Sequence, residues 1–198
     1  MSKYIYEINT FKGVIIILIR VIDIHKKYKK RKVLDGASFQ ADRGECIGIV
    51  GPNGCGKSTL LGILSGSLKA DSGSICFDES EISLNKGISG SFAGYVPQDN
   101  PLMERLSVLD NLRLWYCESH RDLKEDLKNG VPAMFGLADY ASYPVEKLSA
   151  GMKKRLSIAC ALAKDPKILI LDEPGASLDL ICKEDIKKHL RRFIQNGG

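Results

Sequence analysis

Residues 51–59 read Gly51-Pro52-Asn53-Gly54-Cys55-Gly56-Lys57-Ser58-Thr59 and match G-x-x-x-x-G-K-[ST] at every fixed position. The flanks supply the context this pattern requires. Cys46-Ile47-Gly48-Ile49-Val50 is a short apolar strand, and Leu60, Leu61, Ile63 and Leu64 recur at helical spacing until Gly66-Ser67. Between such a strand and helix, a Gly-rich turn can aim successive backbone N–H groups at one anion, beside a helix N-terminus that already favours negative charge. Lys57 can then reach β- and γ-phosphates, and the Ser58 hydroxyl can bind the Mg²⁺ that bridges them. This is the chemistry of nucleoside triphosphate binding.

Other groups lie downstream. Gly94-Tyr95-Val96-Pro97 reads as a short strand ending at Gln98. Ser149, in Leu148-Ser149-Ala150-Gly151-Met152, is placed to cap a helix whose buried face is Leu156, Ala159, Leu162 and Ala163 and which Lys164-Asp165-Pro166 ends. Ile168-Leu169-Ile170-Leu171 is an apolar run of the kind covered on both faces of a parallel sheet, and it finishes in two carboxylates, Asp172 and Glu173. Ser177-Leu178-Asp179 starts the last helix, with Ile186, Leu190, Phe193 and Ile194 on one side.

These groups need a scaffold, and 198 residues with 44% hydrophobic content suffice for one core, read as one domain with a subdomain. Net charge is +5, and the one dense basic run is 26–32, six of whose seven residues are Lys or Arg. A solvated strand-to-loop segment accounts for it better than a nucleic-acid surface. The six cysteines (46, 55, 76, 117, 160, 182) show neither C-x-x-C nor metal spacing and read as reduced core residues of a cytosolic protein. Cys55, in the phosphate loop near a helix N-terminus, is a candidate reactive thiol.

The apolar run 14–19 is too short to span a bilayer and has no cleavage site behind it, so it reads as a strand continuing into Val21-Ile22-Asp23-Ile24, with the first dozen residues a tail or a misplaced start. Val33-Leu34 reads as a turn before the strand Gly36-Ala37-Ser38-Phe39, and Asp42-Arg43-Gly44-Glu45 as a hairpin turn into the phosphate-loop strand. Asp71-Ser72-Gly73 reads as a turn before the alternating strand Ser74-Ile75-Cys76-Phe77. From Asn100 to Lys147 the pattern is helical. Ser107 and Asp110 suggest a capping box, and Leu106, Leu109, Leu112 and Trp115 an apolar stripe.

The order of phosphate loop, Gln98, the 148–152 segment, Asp172-Glu173 and Ser177-Leu178-Asp179 resembles the ATP-binding cassette (ABC) ATPases from about Arg20 to the end. The 148–152 segment, similar to the LSGGQ-type signature, singles that family out. The resemblance implies an α/β fold: a P-loop NTPase core with a mostly parallel sheet, an N-terminal antiparallel β subdomain, and a helical subdomain at about 100–150. Residues 1–19 would be an extension or extra strand and 20–198 the ATPase domain. It implies that Tyr28 stacks on adenine and that Gln98 senses Mg²⁺ and the attacking water. It also implies that Asp172 holds Mg²⁺ through water and that Glu173 polarises the water. Ser149 and Gly151 would contact the γ-phosphate of a second cassette, with Asp179 at the interface. The implied cofactors are ATP and Mg²⁺. The implied partners are transmembrane permease subunits and a second ATPase in a head-to-tail dimer, with no nucleic acid. The location would be cytoplasmic, at the inner face of the membrane through those subunits.

Two positions depart from the family pattern. Ala150 and Met152 replace a glycine and the glutamine of the signature, and the alanine's Cβ is expected to cost a little in loop geometry. The family also carries a switch histidine on a further strand, whereas only 25 residues follow Glu173. His189 comes too early and reads as a surface histidine; His25 and His120 read as structural or solvated. A cassette shortened in this way is expected to be poorly stable and to hydrolyse ATP weakly. The competing readings are a nucleotide-binding remnant without effective turnover and a non-transport cassette of translation or DNA repair.

Overall fold

A computed structural model describes residues 5–8, 17–77, 80–82, 92–175, 178 and 180–195. Residues 14–16 of the expected first strand, and Ser177 and Asp179, lie outside the described residues. The chain divides into two units, residues 1–89 with 193–198 and residues 90–192.

The first unit is built on an antiparallel sheet. Strands β2 (Ile17–Tyr28) and β3 (Arg31–Asp42) form a hairpin, and β5 (Ser72–Phe77) and β6 (Ser80–Ile82) extend it in the order β3-β2-β5-β6. The turn falls at Lys29-Lys30, with Lys29 in the left-handed region (φ 56°), so Val33 and Leu34 lie inside β3 rather than in a turn. The inward face of β2 carries Ile19 and Val21 opposite Phe77 and Ile75 of β5, all four nearly inaccessible. Strict alternation would then turn Ile24 outward. A register shift between Val21 and Ile24, with Asp23 at φ 51°, turns it back into the core at 0% exposure.

The turn at 42–45 closes as expected, with Gly44 left-handed (φ 77°) and Glu45 N–H on the Asp42 carbonyl at 3.3 Å. It does not form a hairpin, because β4 (Cys46–Ile49) pairs antiparallel with β1 (Ile5–Ile8), Ile5 facing Ile49. Residues 5–8, expected in a tail, are thus a strand. Helix α1 (Lys57–Leu64) buries Leu60, Ile63 and Leu64. It ends at Gly66 (φ 76°), where Leu68 folds back to donate to the Gly62 carbonyl at 2.9 Å.

The second unit holds the parallel pairing of the described residues: β7 (Ala93–Val96) beside β8 (Ile168–Leu171), Val96 opposite Leu171. Helices α2 (Val108–Tyr116), α3 (Leu123–Asn129) and α4 (Val131–Met134) lead to α5 (Ala150–Leu162); β8 and then α6 (Leu180–Gln195) follow. The buried positions of α2 are Val108, Asn111, Leu112 and Tyr116; of the expected stripe Leu112 is buried, Leu109 and Trp115 are half-buried, and Leu106 precedes the helix and is 40% exposed. A polar residue hid this face from the pattern. Asn111 is 1% exposed and bonds both backbone groups of Met103 (2.8 and 3.0 Å) and the Ser107 carbonyl (3.0 Å). The Ser107 hydroxyl accepts the Asp110 N–H and donates to its carboxylate, so the box closes side chain to side chain.

Helix α5 is buried well beyond one face: Leu156, Ile158, Ala159 and Ala163 are all inaccessible, whereas Leu162 is half-buried. Of β8 only Ile170 is buried, so the strand is less covered than its apolar run suggested. Among the described cysteines only Cys160 is core; Cys46 and Cys117 are exposed. His189 is not a surface residue. Its ring lies 4.4 Å from that of Phe135, and its Nδ1 is buried without a partner among the described residues. His25 lies between Asp23 (3.0 Å) and Asp35 (3.3 Å), a structural placement.

One buried ionic network holds α2 to α3. Asp126 accepts from the Tyr116 hydroxyl (2.6 Å) and from both arms of the Arg121 fork (2.7 and 2.9 Å). Burial alone would push the Asp126 carboxyl up, but Arg121 and Tyr116 outweigh it and leave it below the usual carboxylate range. Because the folded-state value is depressed, this stabilisation is full above the unfolded carboxyl's value and is lost as pH falls through the folded one. Asp126→Ala is expected to cost about 2–4 kcal/mol, since Tyr116 and Arg121 lose their acceptor together. Urea denaturation at neutral pH measures it, and the difference from the parent should shrink in acid.

Candidate functional site

The phosphate loop runs from β4 into α1, and its glycines are crowded to different degrees. Gly56, the N-cap of α1, has φ 104°, and a Cβ there would sit 2.9 Å from the Val33 carbonyl oxygen and 2.9 Å from Leu34 Cδ2. A Cβ on Gly51 would meet Cys55 Sγ at 2.7 Å. Gly54 is left-handed as well (φ 75°). The first turn of α1 holds no acidic residue and no side chain caps it, so no carboxylate competes for its N–H groups. Lys57 Nζ donates to the carbonyls of Gly51 (3.0 Å) and Pro52 (3.3 Å), folded back on the loop's own backbone. Asn53 and Ser58 are exposed; Cys55, Lys57 and Thr59 are half-buried.

Tyr28 stands at the end of β2, 46% exposed, with Lys26 Nζ 5.7 Å from its ring centre. Its cross-strand neighbour Arg31 donates to the Gly54 carbonyl at 3.1 Å, tying the aromatic hairpin to the phosphate loop. Sequence reading passed over Arg31 because it sits in a basic run that looked merely solvated.

In the second unit, register places the end of β7 beside the end of β8. The Asp172 N–H donates to the Val96 carbonyl at 2.9 Å, so Gln98 and the pair Asp172-Glu173 leave the same edge of the parallel pair. Ligands of α/β proteins gather at such carboxyl ends. Asp172 is 5% exposed, whereas Gln98 and Glu173 are exposed. Glu173 has φ 48°, a left-handed conformation uncommon outside glycine. Burial, then the Asp172 charge, pushes the Tyr95 phenol up. Lys154 of α5 is 4% exposed and reaches the carbonyls of Pro97 and Gln98, both at 3.3 Å. It was missed because a lysine midway along a helix reads as solvent-facing.

Ser149 caps α5 as expected, its hydroxyl accepting the Met152 N–H at 3.2 Å, with Gly151 in the first turn. Ala150 opens the helix in ordinary helical conformation, so the expected cost of its Cβ disappears. Asp179 lies outside the described residues.

The loop suits a polyphosphate: backbone donors, a cation, and space that a side chain would fill. Ser58 in the first unit offers a hydroxyl oxygen, and in the second unit Gln98 and Asp172 offer an amide and a carboxylate oxygen, each a donor type that Mg²⁺ accepts. Among the described residues there is no cluster of three or more His, Cys, Asp or Glu.

A family model described as ABC transporter matches residues 34–176. The lipopolysaccharide export system ATP-binding protein LptB of Escherichia coli (strain K12) is 37% identical over 186 residues, covering 88% of this chain and 75% of that protein. The spermidine/putrescine import ATP-binding protein PotA of Mycoplasma mycoides subsp. mycoides SC is 34% identical, over 91% of this chain and 52% of its own length. The Nod factor export ATP-binding protein I of Sinorhizobium fredii is also 34% identical, over 91% and 53%. Among solved structures, a nucleotide-free ATP-binding cassette from an ABC transporter superposes with TM-score 0.76 at 26% identity, covering 91% of this chain and 78% of that one. A dimeric cassette in a post-hydrolysis state with ADP and Pi gives 0.79 at 26%, covering 91% and 84%.

Proposed function

The chain belongs to the ABC transporter family, with the P-loop NTPase fold of its ATP-binding cassettes, and we propose that it binds ATP and hydrolyses it to drive transport through separate membrane subunits. The observation that carries the reading is the loop at α1: an uncapped helix start, glycines in left-handed conformations, and Lys57 poised on carbonyls that phosphate oxygens can displace.

In this reading, Lys57 and the loop N–H groups neutralise the β- and γ-phosphates, and Tyr28 stacks on the adenine. Ser58, Gln98 and Asp172 are each proposed as ligands of Mg²⁺, which would supply charge neutralisation of the phosphates. Glu173 takes a proton from the attacking water as it approaches the γ-phosphate. The Ser149 and Gly151 end of α5 offers a second anion site, to be used on the nucleotide of a partner cassette in a head-to-tail dimer, with Asp179 at the contact. Among the described residues no helix is long and apolar enough to cross a membrane. The membrane-crossing subunits are proposed as separate chains, and this one as peripheral on the cytoplasmic face. The relatives are named for export and for import alike, which supports a motor whose cargo the membrane subunits choose.

The test is ATP binding by equilibrium dialysis and phosphate release by the full chain, with and without MgCl₂. Tight binding and Mg²⁺-dependent release, both abolished in Lys57→Met, are expected. Binding without release would favour the remnant reading, and no binding would end both. Ser149→Ala should cost only about 1 kcal/mol of stability as a lost cap. Its turnover should fall more steeply than that small change in melting temperature predicts.

A further inference from the structure

We infer that Lys154 is a positioning residue for the turn bearing Gln98: from inside α5 its ammonium holds the carbonyls of Pro97 and Gln98 and fixes that turn against Asp172. The inference rests on the proposed role of Gln98 at Mg²⁺-ATP.

A lysine is seldom buried unless paired, and this one is 4% exposed. Its two acceptors are both backbone carbonyls, at 3.3 Å, and no carboxylate of the described residues lies within ion-pair distance. Burial pushes the ammonium's pKa down, and the Asp172 and Asp99 charges pull it back. A desolvated cation is costly, and leucine or methionine would pack at that position more cheaply. What the cation does there is grip two successive carbonyls just past the end of β7. Among the described residues the turn has little of its own to hold it: Leu102 N–H bonds the Asn100 carbonyl at 2.8 Å, and Asn100 Oδ1 is buried without a partner.

Asp172, whose N–H donates to the Val96 carbonyl, is near enough for its charge to act on the same ammonium. Lys154 thus faces both strand ends that carry proposed Mg²⁺ ligands, from the helix that begins at Ser149. Without it, Gln98 keeps its side chain but loses its fixed backbone. Placement errors of that kind cost rate more than binding.

The experiment compares the full chain with Lys154→Met, Gln98→Ala and the double variant. The readouts are ATP affinity without Mg²⁺, kcat, the MgCl₂ concentration giving half-maximal activity, and hydrogen exchange of residues 97–100 without nucleotide. Lys154→Met is expected to leave Mg²⁺-free ATP affinity within about threefold and to lower kcat about tenfold or more. It should also raise the half-maximal MgCl₂ several-fold and speed exchange at 97–100. In the Gln98→Ala background the same substitution should change kcat less than about twofold, since residues acting as a unit are not additive. Equal effects in both backgrounds, or unchanged exchange at 97–100, would overturn the inference. If Lys154→Met does not fold, Lys154→Gln, a neutral donor on a shorter stem, is read the same way. A parent chain that binds ATP without turnover fails the hydrolysis reading alone, and the exchange and Mg²⁺-dependence of ATP binding then decide on Lys154.

Discussion

The Glu173→Gln chain should release phosphate about 10²–10⁴-fold more slowly than the parent while still binding ATP. Glutamine keeps the size and a hydrogen-bonding oxygen but cannot accept the proton of the attacking water. Binding should hold because the groups proposed to grip the phosphates are elsewhere, in the 51–59 loop. The substitution is also conformationally quiet: residue 173 is left-handed (φ 48°) and exposed with either side chain, so the backbone strain is unchanged and the melting temperature should stay put. Glu173→Gly separates strain from chemistry. It should be as slow as Glu173→Gln, yet more stable by up to about 1 kcal/mol, because glycine adopts this conformation freely. Single-turnover phosphate release and equilibrium ATP binding measure the first effect, urea denaturation the second. If Glu173→Gln turns over within tenfold of the parent, the base is another group.

How much of this was legible beforehand depends on the range of the interactions involved. The phosphate loop was readable because its demands are local: glycines where a Cβ cannot fit, a lysine one turn into the helix, an apolar strand before it. The Ser149 cap and the parallel strand ending at Asp172 were readable for the same reason. What the sequence hid was partnership at a distance. Nothing in 42–45 says that β4 will take residues 5–8 as its neighbour instead of β3. The α2 face was read only in part because it includes Asn111, a polar residue that the apolar count skips. Lys154 and Arg31 were overlooked for a related reason. Charge reads as solvent-facing until the carbonyls that receive it are in view.

Gly56→Ala should be the most damaging single methyl group in the phosphate loop. At φ 104° an L-residue is strained whatever the surroundings, a cost of about 1–3 kcal/mol. Here the surroundings are closed as well. The new Cβ would lie 2.9 Å from the Val33 carbonyl oxygen, β3 backbone that cannot swing aside as a side chain end could, and 2.9 Å from Leu34 Cδ2. Relief requires α1 to move off β3, and α1 carries Leu60, Ile63 and Leu64 in the first unit's core. The expected loss is about 3 kcal/mol or more, a combination of left-handed strain and overpacking. Binding should suffer beyond the stability change, because residue 56 caps α1 and its displacement misdirects the N–H groups of the first turn. ATP affinity is expected to fall by about 10²-fold or more even where the chain remains folded, a difference of about 3 kcal/mol. Gly48→Ala is the control: a Cβ there meets nothing within 4 Å, so it should leave both affinity and melting temperature near the parent values. Should Gly56→Ala bind ATP like the parent, the loop would not be held by β3 as described, and the case for its preformed shape would fall.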